Sequence, residues 1–298
     1  MSEYLVQVST VAMIYSVLAL SLNLQYGLTG LLNFGQSFFF ALGGYAVGIV
    51  YFHVWPSWIG LVAAPFAGAL GGLLLALPAR RLDEHYWALM TLGVAELFLA
   101  IVNNEGSIAG GDLGTYGIPP IGSGTLLPLM AGVALVVFAA FEIIRRSQFG
   151  RVIRTIREDP VLVAALGRSV FRFRAAVLAL SGAVGAMAGV ALAYWLTLVA
   201  SDVFSLEQTV LVWAMVIIGG RGNNLGVIVG AFVVQGIYVG SQFMPESAPI
   251  AGEDLALLRV FIIGAAMVLV LMFRNEGLIP EWKVRQRRPV PSDAAGSG

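Results

Sequence analysis

Uncharged polar side chains are concentrated in the first two apolar segments of the chain. The set contains only hydroxyls and carboxamides: Ser21, Asn23, Gln25, Thr29, Asn33, Gln36 and Ser37. Such groups cost free energy in hydrocarbon unless they meet hydrogen-bond partners or water. Two interpretations are open. The residues line a polar passage through a broken helix, or they form hydrogen bonds between helices, each worth about 0.6 kcal/mol.

Glu96 is the one acidic residue well inside an apolar segment, in the run T-L-G-V-A-E-L-F-L. An ionised carboxylate at the centre of a bilayer costs roughly 2.5–3.5 kcal/mol on insertion scales. The side chain must therefore be protonated, paired or turned toward a wet cavity. A proton-coupled transporter would use it as a relay, and the plainer alternative is a lone acid at a contact between helices.

A basic loop between Arg145 and Arg174 contains the run F-G-R-V-I-R-T-I-R-E-D-P-V-L-V-A-A-L-G. Asp159 followed by Pro160 is typical of a helix start, and Gly167 is typical of a helix end. The pattern predicts a short helix near 160–166, preceded by a basic amphipathic one. A helix this short is marginal alone in water, so its apolar surface needs a docking site. The loop is either an ordinary basic cytoplasmic loop or a docking element for a cytoplasmic partner.

The elements that carry these residues are predicted to be membrane helices. Of the 298 residues, 58% are hydrophobic and 11% are charged, whereas a soluble domain has about 25% charged residues. We predict an all-α polytopic membrane domain over residues 1–280 and a disordered cytoplasmic tail over 281–298. The candidate spans, each long enough to cross a bilayer core, are 8–26, 31–52, 58–78, 86–103, 126–144, 175–198, 203–220, 224–243 and 256–273.

The placement of charge sets the predicted topology. Basic residues cluster at 80–81, at 145–174, at Arg221 and at 274–288, whereas the connections between them are acidic. Basic loops face the cytoplasm, so an even number of spans must separate them. About nine spans, within a range of eight to ten, satisfy this condition. The N-terminus then lies outside and the C-terminus in the cytoplasm. The link from Gly27 to Gly30 is an alternative site for a broken or re-entrant helix.

Small residues recur at intervals that allow helix backbones to approach closely. The pairs are Gly44 and Gly48, Gly68 and Gly72, Gly185 and Gly189, Gly226 and Gly230, and Gly236 and Gly240. This spacing predicts a compact helix bundle.

The residues that several other chemistries need are missing from the sequence. It has no cysteine, and its two histidines, His53 and His85, lie far apart. The single lysine, Lys283, is not part of a G-x-x-x-x-G-K-[ST] motif, which excludes a P-loop ATPase. The net charge of +0 argues against a nucleic-acid partner. We predict no catalytic residue, no metal site and no cofactor.

Three runs together resemble a known family. They are L-S-L-N-L-Q-Y-G-L-T-G-L-L-N-F-G-Q-S-F-F-F-A-L-G-G-Y-A from Leu20 to Ala46, the arginine-rich run quoted above, and M-V-I-I-G-G-R-G-N-N-L-G-V-I-V-G-A from Met215 to Ala231. In this order they are similar to the M-type permease subunit of branched-chain amino acid ABC importers. The likeness extends over roughly residues 10–275. The turn with Arg221, Asn223 and Asn224 departs from the family, which commonly has smaller and less charged residues there.

The resemblance implies a permease subunit of a prokaryotic inner membrane. Its implied partners are a second permease subunit, two cytoplasmic ATPase subunits and an extracytoplasmic binding protein. The residues implied to couple the chain to an ATPase are Arg154, Arg157, Glu158, Ala164, Ala165 and Gly167. Those implied near the translocation path are Asn23, Asn33, Gly35 and Gln36, and Glu96 is a further candidate from its position in a span.

Two alternative functions remain at this point. Related permeases serve urea and short amides, although Asn33, Phe34, Gly35 and Gln36 fit the amino acid branch better. A proton-coupled secondary transporter that uses Glu96 is the other. An intramembrane enzyme is disfavoured, because the spans hold neither paired carboxylates nor a plausible catalytic cluster.

Overall fold

The computed structural model describes residues 2–240, 253–274 and 277–280. In this part of the chain the helices are α1 Ser2–Leu22, α2 Gln36–Phe52, α3 Ser57–Ala76, α4 Glu84–Asn104, α5 Gly106–Ala109, α6 Ser123–Arg146, α7 Gln148–Glu158, α8 Pro160–Ala165, α9 Val170–Leu196, α10 Leu206–Gly219, α11 Asn224–Gly240 and α12 Glu253–Phe273. A π-helical turn, Asn23–Gly27, extends α1. Two short strands, β1 Thr115–Tyr116 and β2 Leu198–Val199, pair antiparallel.

Every predicted span overlaps a helix in the described residues, so the all-α membrane fold is confirmed. Six helical stretches there are long and apolar enough to cross a bilayer: Leu5–Gly27, Ser57–Arg80, Glu84–Asn104, Gly124–Arg146, Val170–Leu196 and Ser201–Gly219. Three further apolar helical stretches are shorter: Gln36–Phe52, Asn224–Val239 and Phe261–Phe273, the last of which is the C-terminal part of α12. At 1.5 Å per residue a 17-residue helix is about 25 Å long, less than the roughly 30 Å of a bilayer core. The count of nine spans therefore stays a prediction.

Helix α9 packs against α2 and α3 with glycines at the points of closest approach. A Cβ added at Gly43 would lie 1.8 Å from the carbonyl oxygen of Ala186, and one at Gly189 would lie 1.9 Å from that of Phe40. Phe40, the earlier of the two α2 residues, meets Gly189, the later of the two α9 residues. Helices α2 and α9 are therefore antiparallel. Gly236 differs from the prediction, since an added Cβ would meet no atom of the described residues within 4 Å.

The second predicted span is wrong at its start. It was placed from residue 31, but α2 begins only at Gln36, and residues 30–35 form an irregular segment between the end of α1 and α2. The alternative prediction of a broken helix near Gly27 to Gly30 describes the chain better. The irregular segment is stabilised by side chains from several helices, which sequence spacing alone could not reveal.

The bundle has two ends that matter for function. The loop end carries α7 and α8, and the strand end carries β1 and β2. The backbone N–H of Leu278 donates to the carbonyl of Ile218 at 2.8 Å, and the Asn223 side chain donates to the carbonyl of Pro280 at 3.1 Å. The chain after α12 therefore returns to the loop end, whereas α1 starts at the strand end. The predicted tail, 281–298, lies outside the described residues.

Candidate functional site

The carboxamides of the first two helices bind one another in a single cluster, the amide cluster. Asn33 donates to Gln25 Oε1 at 2.8 Å, and Gln25 donates to Gln36 Oε1 at 3.1 Å. Gln36 donates to Ser21 Oγ at 2.9 Å, which donates to the carbonyl of Ser181 in α9 at 2.8 Å. Asn33, Gln36, Gln25 and Ser21 are all fully buried. The cluster thus joins α1, the irregular segment, α2 and α9.

Other hydroxyls satisfy the backbone around the irregular segment. The N–H of Phe34 donates to Thr91 Oγ1 at 3.1 Å, and the N–H of Ser37 donates to Thr209 Oγ1 at 3.0 Å. Non-helical backbone at membrane depth is tolerated only where protein or water satisfies its polar groups. The polar residues therefore have a structural task in this conformation. In this conformation the polar residues therefore match the second interpretation given above, in which they form hydrogen bonds between helices.

Asn23 belongs to a second set of contacts, nearer the loop end. Its side-chain amide donates to Asn224 Oδ1 at 2.9 Å, and its Oδ1 accepts from the N–H of Gly222 at 2.8 Å. The Asn224 side chain in turn donates to Glu142 Oε2 at 3.4 Å. The π-helical turn is thereby attached to the start of α11 and to the end of α6.

Helix α7 closes this set into a ring of contacts. The guanidinium of Arg157 donates to the carbonyl of Gly27, the last residue of the π-helical turn. A Cβ at Gly30 would lie 2.9 Å from Arg157 Cγ and 3.4 Å from its Cα, so the two backbones meet closely here. Arg154 donates to the carbonyl of Arg145 at 3.1 Å, and Arg145 donates to Glu142 at 2.8 Å. We call this closed path, from α7 through α6 and α11 to the π-helical turn and back, the anchor ring.

Helix α8 has the boundaries that the sequence predicts. Asp159 Oδ1 accepts from the N–H groups of Val161 at 2.9 Å and Leu162 at 3.0 Å, which caps the N-terminus. Gly167 has φ 76° and its N–H donates to the carbonyl of Ala164 at 3.0 Å, as expected of a glycine after a helix. The predicted cap, proline and terminal glycine are all confirmed.

The outer face of α8 is apolar and uncovered. Val161 is 74% exposed and Leu166 is 70% exposed, whereas Val163 points into the chain and is buried. The other residues predicted to couple this region to an ATPase are also exposed: Glu158, Ala164, Ala165 and Gly167. Arg154 and Arg157 are half-buried beneath them, in the anchor ring.

Glu96 lies apart from the amide cluster. Its side chain is exposed on α4 and lines an open cavity of about 550 Å³ together with Asp202, Asn103 and Ser205. No residue of the amide cluster lines this cavity. Of the predicted path residues, the structure thus joins Asn33 and Gln36 directly, places Asn23 in the neighbouring ring, and separates Glu96 from both.

A second cavity lies at the strand end, between α1, α9, α10 and α11. Its volume is about 330 Å³. Its lining residues are apolar or uncharged and polar: Gln7, Val11, Tyr15, Leu192, Trp195, Leu196, Val203, Gln208, Gln235, Tyr238 and Val239. We call it the outer cavity.

The sequence of this chain is similar to those of proteins from amino acid transport systems. The family described as branched-chain amino acid transport system, permease component, matches residues 4–271. The chain belongs to this family. A probable branched-chain amino acid transport permease protein, LivM, of Methanocaldococcus jannaschii is 27% identical over 90% of this chain and 91% of its own length. The high-affinity branched-chain amino acid transport system permease proteins LivM of Salmonella typhimurium and Escherichia coli are each 29% identical, over 92% of this chain and 70% of their own lengths. None of the solved structures matches.

The contacts of three residues in this permease were not predicted from the sequence. Asn224, in the turn that departs from the family resemblance, connects Asn23 with Glu142. Trp213 donates to the carbonyl of Asn33 at 2.9 Å. Gln235 lines the outer cavity. A lone carboxamide in the apolar run G-A-F-V-V-Q-G-I-Y-V-G would have been a usable signal for Gln235, but nothing local identifies the partners of Asn224 or Trp213.

Proposed function

We propose that this membrane permease is one transmembrane subunit of an ATP-driven importer for branched-chain or related apolar amino acids. Membership of the permease family supports the transport role, and the names of the relatives support the substrate class. The importer would contain a second permease subunit, two cytoplasmic ATPase subunits and an extracytoplasmic binding protein. ATP hydrolysis takes place on the ATPases, since this chain has no P-loop.

The observation that carries the proposal is the exposed apolar face of α8. A six-residue helix has too few internal hydrogen bonds to be stable by itself. Here it is capped at both ends and still leaves Val161, Leu162 and Leu166 largely exposed. An ATPase subunit seated on this face would bury these side chains at the loop end, which the charge pattern assigns to the cytoplasm.

The anchor ring supplies the route by which movement of α8 reaches the membrane helices. Helix α7 directly precedes α8, and its Arg157 binds the carbonyl of Gly27 at the end of the π-helical turn. Displacement of α7 and α8 would therefore pull on this turn, where the backbone already departs from α-helical geometry. After Leu28 and Thr29 the π-helical turn is followed by the irregular segment, which contributes Asn33 to the amide cluster.

The proposed translocation path runs beside Asn23, Asn33 and Gln36. In this conformation their polar groups bind one another and neighbouring helices. Exchange of these bonds for bonds to a passing solute would open the path with little loss of hydrogen bonding. Glu96 would contribute only through the separate cavity that it shares with Asp202.

The proposal is tested by replacing Gly167 with valine in the assembled importer. The residue has φ 76°, but an added Cβ would meet no described atom within 4 Å. The substitution therefore strains the end of α8, by roughly 1–2 kcal/mol, without a clash elsewhere. We expect ATP-driven leucine uptake into proteoliposomes to fall about tenfold or more, because the docking helix is displaced.

Gly117→Val is the matched control, since Gly117 has φ 79°, equally open surroundings and a position between β1 and α6, away from the loop end. Its uptake should remain close to that of the unmodified protein. Unchanged uptake by Gly167→Val with normal ATPase binding would contradict the coupling role. Uptake driven by a pH gradient in the absence of any ATPase would favour a secondary transporter instead.

A further inference from the structure

The outer cavity has the size and position of a ligand site. It is enclosed by four helices at the strand end, and its volume of about 330 Å³ is at the lower end of the range for small-molecule sites, about 300–1,000 Å³. Exposed Gln7 lies at its rim and buried Tyr15 at its inner end. The cavity is therefore open toward the side from which, in the predicted topology, an importer receives its solute.

Gln235 gives the cavity an unsatisfied polar group. Its side chain is only 3% exposed, yet its Oε1 has no hydrogen-bond partner among the described residues. A buried carbonyl oxygen left without a donor costs about 1–3 kcal/mol. The residue lies in an apolar part of α11 and faces the cavity. This oxygen is well placed to accept a hydrogen bond from a solute that enters.

The remaining walls indicate what kind of solute fits. Gln208 lies close by, with its Oε1 accepting a hydrogen bond from the Tyr15 hydroxyl. Leu192, Val203 and Trp195 belong to the apolar part of the wall. The residues that line the cavity in the described part of the chain include no charged side chain. A solute of zero net charge with a polar end and an aliphatic end is complementary to this surface.

We infer that the outer cavity is a transient binding site for an apolar zwitterionic amino acid on its way across the membrane. The Gln235 oxygen accepts from the ammonium group, the amide of Gln208 donates to the carboxylate, and the apolar wall contacts the aliphatic side chain. The substrate class rests on the proposed function, whereas the location rests on the cavity and on Gln235.

Helix α1 contributes residues both to the outer cavity and to the amide cluster. The inner end of the cavity is closed by the hydrogen bond between Tyr15 and Gln208. Ser21 lies six residues further along α1, about 9 Å at 1.5 Å per residue, and it binds Gln36 of the amide cluster. The hydrogen-bonded pair Tyr15 and Gln208 thus lies between the outer cavity and the amide cluster along α1.

The absence of cysteine from the sequence allows a direct test. Val203→Cys places one thiol in the cavity wall, and Tyr116→Cys places one on β1, where the native side chain is 67% exposed outside the cavity. Each variant is assembled with its partner subunits in proteoliposomes. The labelling rate by a membrane-impermeant methanethiosulfonate is then measured with L-leucine, L-valine, L-lysine, L-glutamate or urea present.

We expect leucine and valine at about ten times their dissociation constant to slow labelling of Val203→Cys about tenfold, because the free site falls in that proportion. Lysine, glutamate and urea should have no effect, and labelling of Tyr116→Cys should not change. Adding Gln235→Leu to the Val203→Cys variant should raise the leucine concentration needed for protection about tenfold or more, as expected for loss of a hydrogen bond to a charged group.

Uptake of leucine by the same proteoliposomes separates the two proposals. Normal uptake without protection of Val203→Cys would overturn the binding site and leave the proposed function standing. Protection by urea alone would overturn the assignment to amino acids. Failure of both leucine uptake and protection by leucine would overturn the substrate class and the site together.

Discussion

Asn23 shows how one buried side chain can connect separate helices of a membrane protein. It is fully buried, and both ends of its carboxamide are bound, to Asn224 and to the N–H of Gly222. In the sequence it is one of seven similar residues. Its two hydrogen bonds link the π-helical turn to Gly222 and to Asn224 at the start of α11, and Asn224 in turn binds Glu142.

Replacement of Asn23 with leucine is expected to destabilise the protein. The change leaves the buried N–H of Gly222 without its acceptor and the Asn224 oxygen without its donor, at a cost of about 1–3 kcal/mol. We expect a lower thermal unfolding midpoint in detergent and slower ATP-driven leucine uptake. Asn104→Leu is the control, because Asn104 is exposed at the end of α4 and, among the described residues, its side chain donates to Ala100 of its own helix. Equal unfolding midpoints for the two variants would contradict the importance of the anchor ring.

The conformations of Asp159 and Gly167, unlike the contacts of Asn23, could be predicted from the sequence. Both form hydrogen bonds within three residues, so the local sequence contains all that their conformation requires. Their roles at the ends of α8 were predicted correctly. Residues whose partners lie in distant segments, such as Ser21 with Ser181, could be recognised only as polar groups in need of a partner.

At the scale of helices, glycine contacts determine which elements approach most closely. The sequence offers many small residues, but only some of them face another backbone. Gly43 meets the carbonyl of Ala186, and Gly72 meets that of Leu178 at 2.1 Å from an added Cβ. Gly93, on α4, is exposed, and an added Cβ there meets no described atom within 4 Å. Spacing identifies the candidates, and packing selects among them.

The different surroundings of Gly43 and Gly93 predict opposite effects on stability when each glycine is replaced with alanine. Gly43→Ala would force α2 away from α9, and overpacking of this kind costs about 1–3 kcal/mol. Gly93→Ala should leave the free energy of unfolding unchanged or raise it slightly, since alanine favours helix by roughly 1 kcal/mol over glycine. Denaturation of both variants in detergent micelles measures the difference. A Gly43→Ala protein as stable as Gly93→Ala would show that α2 and α9 do not pack as described.

At the scale of the whole molecule, the two ends of the bundle have distinct compositions. The loop end contains the arginines of α7 and the residues after α12, and the strand end contains β1, β2 and the outer cavity. The start of α1 and the end of α12 lie at opposite ends, as an odd number of crossings requires. The positive charge of the loop predicts that the loop end faces the cytoplasm.

Single cysteines test this orientation. Ser107→Cys lies at the strand end and Arg168→Cys at the loop end, and both positions are exposed. In intact cells an impermeant thiol reagent should label Ser107→Cys but not Arg168→Cys. Arg168→Cys should react only after the membrane is permeabilised. The chain without an introduced cysteine is the control. Labelling of both positions from the same side would contradict the predicted topology.

The sequence by itself determined that this is an all-helical membrane protein, which segments become helices, how α8 begins and ends, and which family the three motifs resemble. Each of these depends on composition, on periodicity or on contacts within a few residues. Only the tertiary structure decided that residues 30–35 are irregular, that Asn23 and Asn33 belong to different sets of contacts, and that Glu96 and Gln235 line different cavities. These features depend on groups far apart in the sequence, since a buried polar group in a membrane must find its partner wherever the packing of helices supplies one.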